Sequence, residues 1–221
     1  LDSLSVVPAG MLINAIFLSV WIYLPPRIQD MSARRSLAVT TATALVAWAI
    51  FGMMAIFCID SASDSGFGAR DIAVIGVVLT AAFGIYLGWS PGDSPKGSRE
   101  VSKSVLLARG GMAATAIGAS VWVAGLGYPL IAGLASVFPA IFLTSMVALW
   151  ISQGPSVPRG AAAPMLLGGG SVGVYALVAM YSLDSHGMII GSAIAWTVAV
   201  AGWSIPSYAF LRWRSGVGTA S

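Results

Sequence analysis

The chain has 221 residues, of which 57% are apolar and 9% charged, and its mean hydropathy is +0.88. Soluble domains carry roughly 25% charged residues, so a water-soluble core inside a charged skin is excluded. The formal charge of +3 and the pI near 9.3 do not point to nucleic acid, because the basic residues fall in short breaks between apolar runs and not along one polar face. One cysteine, Cys58, cannot form an internal disulfide, and one histidine, His186, leaves no His-rich or Cys/His-rich metal constellation.

A bilayer core about 30 Å thick needs roughly 20 apolar residues in a helix, and seven stretches qualify. The first, about 4–24, follows no basic segment and so does not read as a cleavable signal; it carries Asn14, the most polar group inside any span. The second, 36–58, holds Trp48 and leads to an acidic break with Asp60 and Asp64. The third, 71–89, places Gly76, Thr80, Gly84 and Gly88 four apart, and the fourth, 105–124, does the same with Gly110, Ala114 and Gly118. Such ladders let helix backbones touch. The fifth, 128–150, has Pro139 in mid-span with Thr144 and Ser145 beside it. The sixth, 162–183, contains Gly168, Gly169, Gly170, Ser171 and Gly173 soon after Pro164, followed by Tyr175. A short turn with Asp184 and His186 leads to the seventh, 187–211, which carries Trp203, Ser204, Pro206 and Tyr208.

Charge placement orients these spans. Lys and Arg concentrate in cytoplasmic loops. With the N-terminus outside, the inner side receives Arg27, Arg34, Arg35, Lys96, Arg99, Lys103, Arg109, Arg159, Arg212 and Arg214, and the outer side only Arg70. Trp21, Trp89, Trp150 and Trp213 fall at inner ends, as an aromatic belt does. The expected fold is therefore an all-α membrane protein, a seven-transmembrane-helix bundle with its N-terminus outside and its C-terminus in the cytoplasm.

Two stretches share the pattern S-V-x-P-A-x-x-L, Ser5-Val6-Val7-Pro8-Ala9 and Ser136-Val137-Phe138-Pro139-Ala140, each ending in Leu12 or Leu143. Spans one and five point the same way, so the chain reads as one transmembrane domain, 1–221, with parallel repeat halves 1–89 and 105–211 joined by a cytoplasmic loop, 90–104. Chance likeness between two Ala- and Val-rich helices is the alternative. Because Pro139 lies mid-span and Pro8 lies near Leu1, the repeat also raises an eight-helix 4+4 plan whose first helix precedes this chain; a 3+1+3 plan is the other arrangement.

The run Ala132-Gly133-Leu134 with Phe138-Pro139-Ala140, continuing to Trp150-Ile151-Ser152-Gln153-Gly154, resembles a segment of the small GlpM-like bacterial inner-membrane proteins over about residues 105–210. That likeness implies a bacterial cytoplasmic-membrane address and no chemistry. Leu24-Pro25-Pro26-Arg27, Arg34-Arg35-Ser36 and Trp48-Ala49-Ile50-Phe51-Gly52 more distantly resemble the first repeat of SWEET and other PQ-loop transporters, although Arg27 follows Pro26 where their glutamine stands.

The span interiors hold essentially no ionisable residue, and such residues are the usual mark of proton or ion coupling. No paired acids and no Ser/His/Asp set occur within a span, so the chain is not expected to be an enzyme and no cofactor or metal is expected. Glycines, prolines and neutral polar groups remain. The glycine run of span six is either a close-packing face through Gly169 and Gly173 or a broken helix exposing carbonyls to a substrate. The expected function is a permease or facilitator for a small neutral or amphipathic solute. Its expected substrate-binding residues are Asn14, Trp48, Pro139, Ser145, Gly169, Gly170, Ser171 and Tyr175, between the repeats. A non-catalytic structural or assembly subunit of a larger membrane complex is the alternative. Expected partners are the lipid bilayer and the solute, with a second copy or a membrane-complex subunit beside them; nucleic acid is not among them.

Overall fold

The computed structural model of the protein describes residues 2–66, 68–89, 102–127 and 138–217, and these form an all-helical structure. Helix α1 is Asp2–Tyr23, followed by a 3-10 turn at Pro25–Arg27; α2 is Ala33–Asp64, α3 Ala69–Trp89, α4 Lys103–Gly125, α5 Ala140–Gln153 and α6 Ser156–Ala199. A π-helical turn, Val200–Ser204, joins α6 to α7, Ile205–Val217. Among the described residues, four helical stretches are long and apolar enough to cross a bilayer, Val6–Arg27, Ala33–Ile59, Ala69–Trp89 and Ser156–Arg214. The chain is thus an integral membrane protein by length and hydropathy.

The last of these stretches has 59 residues, which as one rod would extend about 90 Å. It folds back instead. Gly187 has φ +72° and ψ 177°, a region open essentially to glycine alone. Across this break Ser182 Oγ donates 2.8 Å to the Gly191 carbonyl, and Trp203 Nε1 donates 2.6 Å to the Leu167 carbonyl. Residues before and after 187 therefore meet in pairs, 182 with 191 and 167 with 203, and the two arms run antiparallel. The expected spans six and seven correspond to these arms, with Asp184 and His186 exposed at the turn.

Helix α1 occupies the centre, packed against α2, α3 and the first arm of α6. Apolar contact gains little over lipid tails, so close backbone approach has to supply the packing. Pro8 provides the crossing point. A Cβ on Gly76 of α3 would lie 2.9 Å from the Ala9 nitrogen, and one on Gly173 of α6 would lie 3.4 Å from Pro8 Cα. The ladder read in span three is a packed face: Gly76, Thr80, Gly84 and Gly88 are all buried, Gly84 under Leu167 and Gly88 under Phe210. The ladder read in span four behaves otherwise. Among the described residues nothing lies within 4 Å of a Cβ built on Gly110 or Gly118, and Ala114 is exposed. Helix α4 packs chiefly on α5, with Gly110, Ala114 and Gly118 out of close contact among the described residues. Small residues permit close approach without compelling it.

Helix α2 runs past its expected end at 58, because nothing before Gly66 (φ +91°) interrupts helical geometry. The π turn precedes Pro206, whose ring in a regular helix would strike the Gly202 carbonyl; a widened turn accommodates it and redirects Trp203 inward. Pro8 is helical and Pro139 is not, so the two copies of the S-V-x-P-A pattern differ locally.

Contacts place the helix ends. Arg159 Nε donates 3.2 Å to the Ile22 carbonyl, tying the end of α1 to the start of α6. Arg214 bonds the Trp89 carbonyl and stacks on the Trp89 ring at 5.0 Å, tying the end of α3 to the end of α7. At the opposite end Arg70 lies 4.5 Å over the Tyr181 ring. Arg27, Arg34, Arg35, Arg159, Arg212 and Arg214 thus share one end of the bundle, and Arg70 lies at the other.

Candidate functional site

Asn14 lies nine residues before the end of α1, about 14 Å along the axis, near the middle of a bilayer-spanning helix. It is 3% exposed. An amide stranded in hydrocarbon would cost several kcal/mol, and a partner offsets this: Trp48 Nε1 donates to Asn14 Oδ1 at 3.0 Å. Asn14 Nδ2 lies 3.9 Å from the Met11 sulfur one turn below, a weak acceptor. The Trp48 ring stands edge-on to Phe138, centroids 5.2 Å apart at 88°. The pair therefore joins α1, α2 and the start of α5.

Pro139 is not within a helix, contrary to the reading from sequence. It precedes Ala140, the first residue of α5, with φ −76° and ψ 40°. Proline is tolerated at a helix start, where its missing N–H is not needed, and it biases its predecessor towards extended backbone. Residues 128–137 of the expected fifth span lie outside the described residues. Helix α5 has 14 residues, about 21 Å, and its Trp150 packs edge-on to Trp21 at 6.0 Å near the arginine-rich end. Its N-terminus consequently opens near the level of Asn14, and helix N-termini carry the positive end of the peptide dipoles.

The glycine run of span six is not broken. Within α6 only Gly187 departs from helical geometry, so residues 168–173 are continuous helix. A Cβ on Gly169 would meet Phe142 Cζ at 2.7 Å and Met11 Cε at 2.9 Å. Gly169 thus belongs to the Asn14 neighbourhood through Met11. Gly170 lies under the Trp203 indole, whose Cε2 a Cβ would approach to 2.6 Å, so a side chain already fills the space a solute would need there.

Of the residues read from sequence, Asn14, Trp48, Pro139 and Gly169 are brought together. Ser145 and Ser171 are turned back on their own helices, donating to the Ile141 carbonyl at 2.6 Å and the Gly168 carbonyl at 2.8 Å, and Tyr175 is half-buried further along α6. Met11, Phe138 and Phe142 complete the walls. Met11 carried a signal, standing three residues before Asn14 on the same helical face; the two phenylalanines carried none that sets them apart from ordinary core.

Among the described residues the buried polar side chains are Asn14, Ser36, Thr40, Thr80, Ser145 and Ser182, all neutral. Such a set binds by hydrogen bonding and shape and moves no proton at ordinary pH. Of the described residues, no three His, Cys, Asp or Glu group around a metal position.

At the arginine-rich end a cavity of about 380 Å³ opens between the 3-10 turn with the start of α2 and the junction of α5 with α6. Its lining includes Pro25, Pro26, Gln29, Ser36, Trp150, Ser156 and Arg159 and no acidic side chain.

The chain matches no known protein family, no curated protein and no solved structure. Function therefore has to be argued from the site itself.

Proposed function

We propose that the protein is a seven-span facilitator for a small neutral or amphipathic solute, with its N-terminus outside and its arginine-rich end in the cytoplasm of a bacterium. The solute site lies at mid-depth, where Asn14 and Trp48 meet the start of α5. The observation that carries this reading is the part-buried Asn14–Trp48 hydrogen bond of 3.0 Å. A polar pair at the centre of an apolar span is costly and usually functional. A helix ending at that depth supports it, since carriers build sites from discontinuous helices. The walls of Met11, Phe138, Phe142 and Trp48 suit a solute with an apolar part. The structure is then a closed state, with the Asn14 and Trp48 groups bonded to each other until a solute replaces one of them.

The test is uptake of radiolabelled polyols, amides and sugars into liposomes holding the protein, alongside its thermal stability with each compound. Some compound should raise the unfolding temperature, and Trp48→Phe should remove both that rise and its uptake. A full panel with no uptake and no stabilisation sinks the proposal.

A second reading rests on a different observation. Trp203 over Gly170 and Leu167 over Gly84 are packed to contact, as a rigid scaffold subunit of a membrane complex would be. Partners co-purifying at fixed ratio, together with an inert solute panel, would favour it.

A further inference from the structure

Several polar groups that the proposed site does not use lie along helices α1 and α2. On α2, Ser36, Thr40, Ala44 and Trp48 recur every fourth residue and so share one face. Ser36 lines the cavity at the arginine-rich end, and Trp48 holds Asn14 at mid-depth. Between them Thr40 is fully buried, and its hydroxyl has no hydrogen-bond partner; the Thr41 hydroxyl beside it has none either. Helix α1 matches this from the other side. The helices are antiparallel neighbours, so two turns along α1 from Asn14 (about 10 Å) correspond to two turns back along α2 from Trp48. Those steps reach Trp21 and Thr41. Trp21 is also fully buried, and its Nε1 is unpartnered. It abuts Trp150, a wall of the cavity.

Unpartnered buried donors and hydroxyls each cost on the order of 1–3 kcal/mol, and chance would scatter them over the bundle. Of the five such side chains among the described residues, Thr80 and Arg214 lie elsewhere, and the register of the α1–α2 hairpin puts the other three, Trp21, Thr40 and Thr41, at one level between a cavity and a polar pair. We propose that the α1–α2 interface is an access path: the cavity is its vestibule, Trp21, Thr40 and Thr41 are polar stations along it, and Asn14 with Trp48 is its inner end. Water enters the path when the interface opens. The identity of what travels rests on the facilitator reading above, and the donor-only groups Arg159 and Trp21 favour solutes bearing hydrogen-bond acceptors. The hydration of the path does not depend on that reading.

The experiment is cysteine accessibility in nanodiscs, which expose both faces. In a Cys58→Ser background, Ser36→Cys, Thr40→Cys and Thr41→Cys are reacted with a small charged methanethiosulfonate. Thr80→Cys is the control for Thr40→Cys, because its hydroxyl on α3 is about as buried and as unpartnered but lies off the path, and the half-buried Thr41 is the secondary position. Ser36→Cys should react fastest, and Thr40→Cys and Thr41→Cys should react at least about tenfold faster than Thr80→Cys, since labelling of a buried group follows local opening. Equal rates at Thr40, Thr41 and Thr80 overturn the path. The facilitator reading fails separately: labelling without uptake of any solute removes the cargo and keeps the path, whereas uptake with Thr40 and Thr41 as slow as Thr80 removes the path and keeps the facilitator.

Discussion

Replacing Gly170 with alanine separates packing from intrinsic helix preference. Alanine is the better helix former by about 1 kcal/mol, so on propensity alone the substitution should stabilise. The structure reverses the sign. The new methyl would lie 2.6 Å from Trp203 Cε2 and 2.9 Å from its Nε1, and a rigid indole cannot bend aside as a leucine tip can. Overpacking of this kind costs about 1–3 kcal/mol. Moving the ring also strains the Trp203 Nε1 bond to the Leu167 carbonyl, worth about another 1 kcal/mol in a membrane bundle. The expected net is a loss of about 1–3 kcal/mol. Gly168→Ala is the matched control, because nothing lies within 4 Å of its Cβ position; it should be neutral or stabilise by up to about 1 kcal/mol. Both are read as shifts in the unfolding midpoint on SDS titration in mixed micelles. Adding Trp203→Phe to Gly170→Ala should recover part of the loss as a non-additive coupling. If Gly170→Ala and Gly168→Ala agree within about 0.5 kcal/mol, the closeness of the two arms is refuted.

Asn14→Leu leaves the Trp48 N–H without its acceptor and should lower stability by about 1 kcal/mol, while abolishing uptake of any solute the wild-type chain transports; unchanged uptake removes Asn14 from the site. Gly187→Ala forces a side chain into φ +72°, ψ 177° and should cost about 1–3 kcal/mol on the same titration, whereas Gly202→Ala, with open space around it, should not. In a Cys58→Ser background, a cysteine at Ser65 should react with an impermeant thiol reagent added to intact cells and one at Gln29 should not; the opposite result inverts the orientation.

Composition and charge made the membrane helices legible, because lipid forces long apolar runs and the arginines mark helix ends. The packed face of α3 was legible for a similar reason: Gly76, Gly84 and Gly88 recur at the helical repeat, and a groove on one helix invites a ridge on another. The same pattern in α4 misled, since spacing states what a face can accept and not what is present to fill it. The Asn14 neighbourhood was visible in part. A lone amide in hydrocarbon must find a partner, and Trp48 lies within reach once α1 and α2 form a hairpin. What a one-dimensional reading lacked was register. Only the fold-back at Gly187 brings Trp203 over Gly170 and closes a segment that in isolation resembles an unwound site. Pro139 shows the same limit, for a proline in the middle of an apolar run is compatible with a kink or with a helix start.

The fold-back has a consequence for assembly. Contacts between the two arms join residues 182 with 191 and then 167 with 203, 9 and 36 residues apart, so the inner contact shortens the loop that the outer one has to close. Such a pair zips from its turn without a long-range search, the kind of local order that favours fast formation. Helix α1 stands at the other extreme. Its Pro8 must seat between Gly76 and Gly173, partners that a ribosome delivers far later than α1 itself. Helix α1 is then complete long before its seat is, and until Gly173 arrives Trp48 of the next helix is the partner that shields the Asn14 amide from lipid.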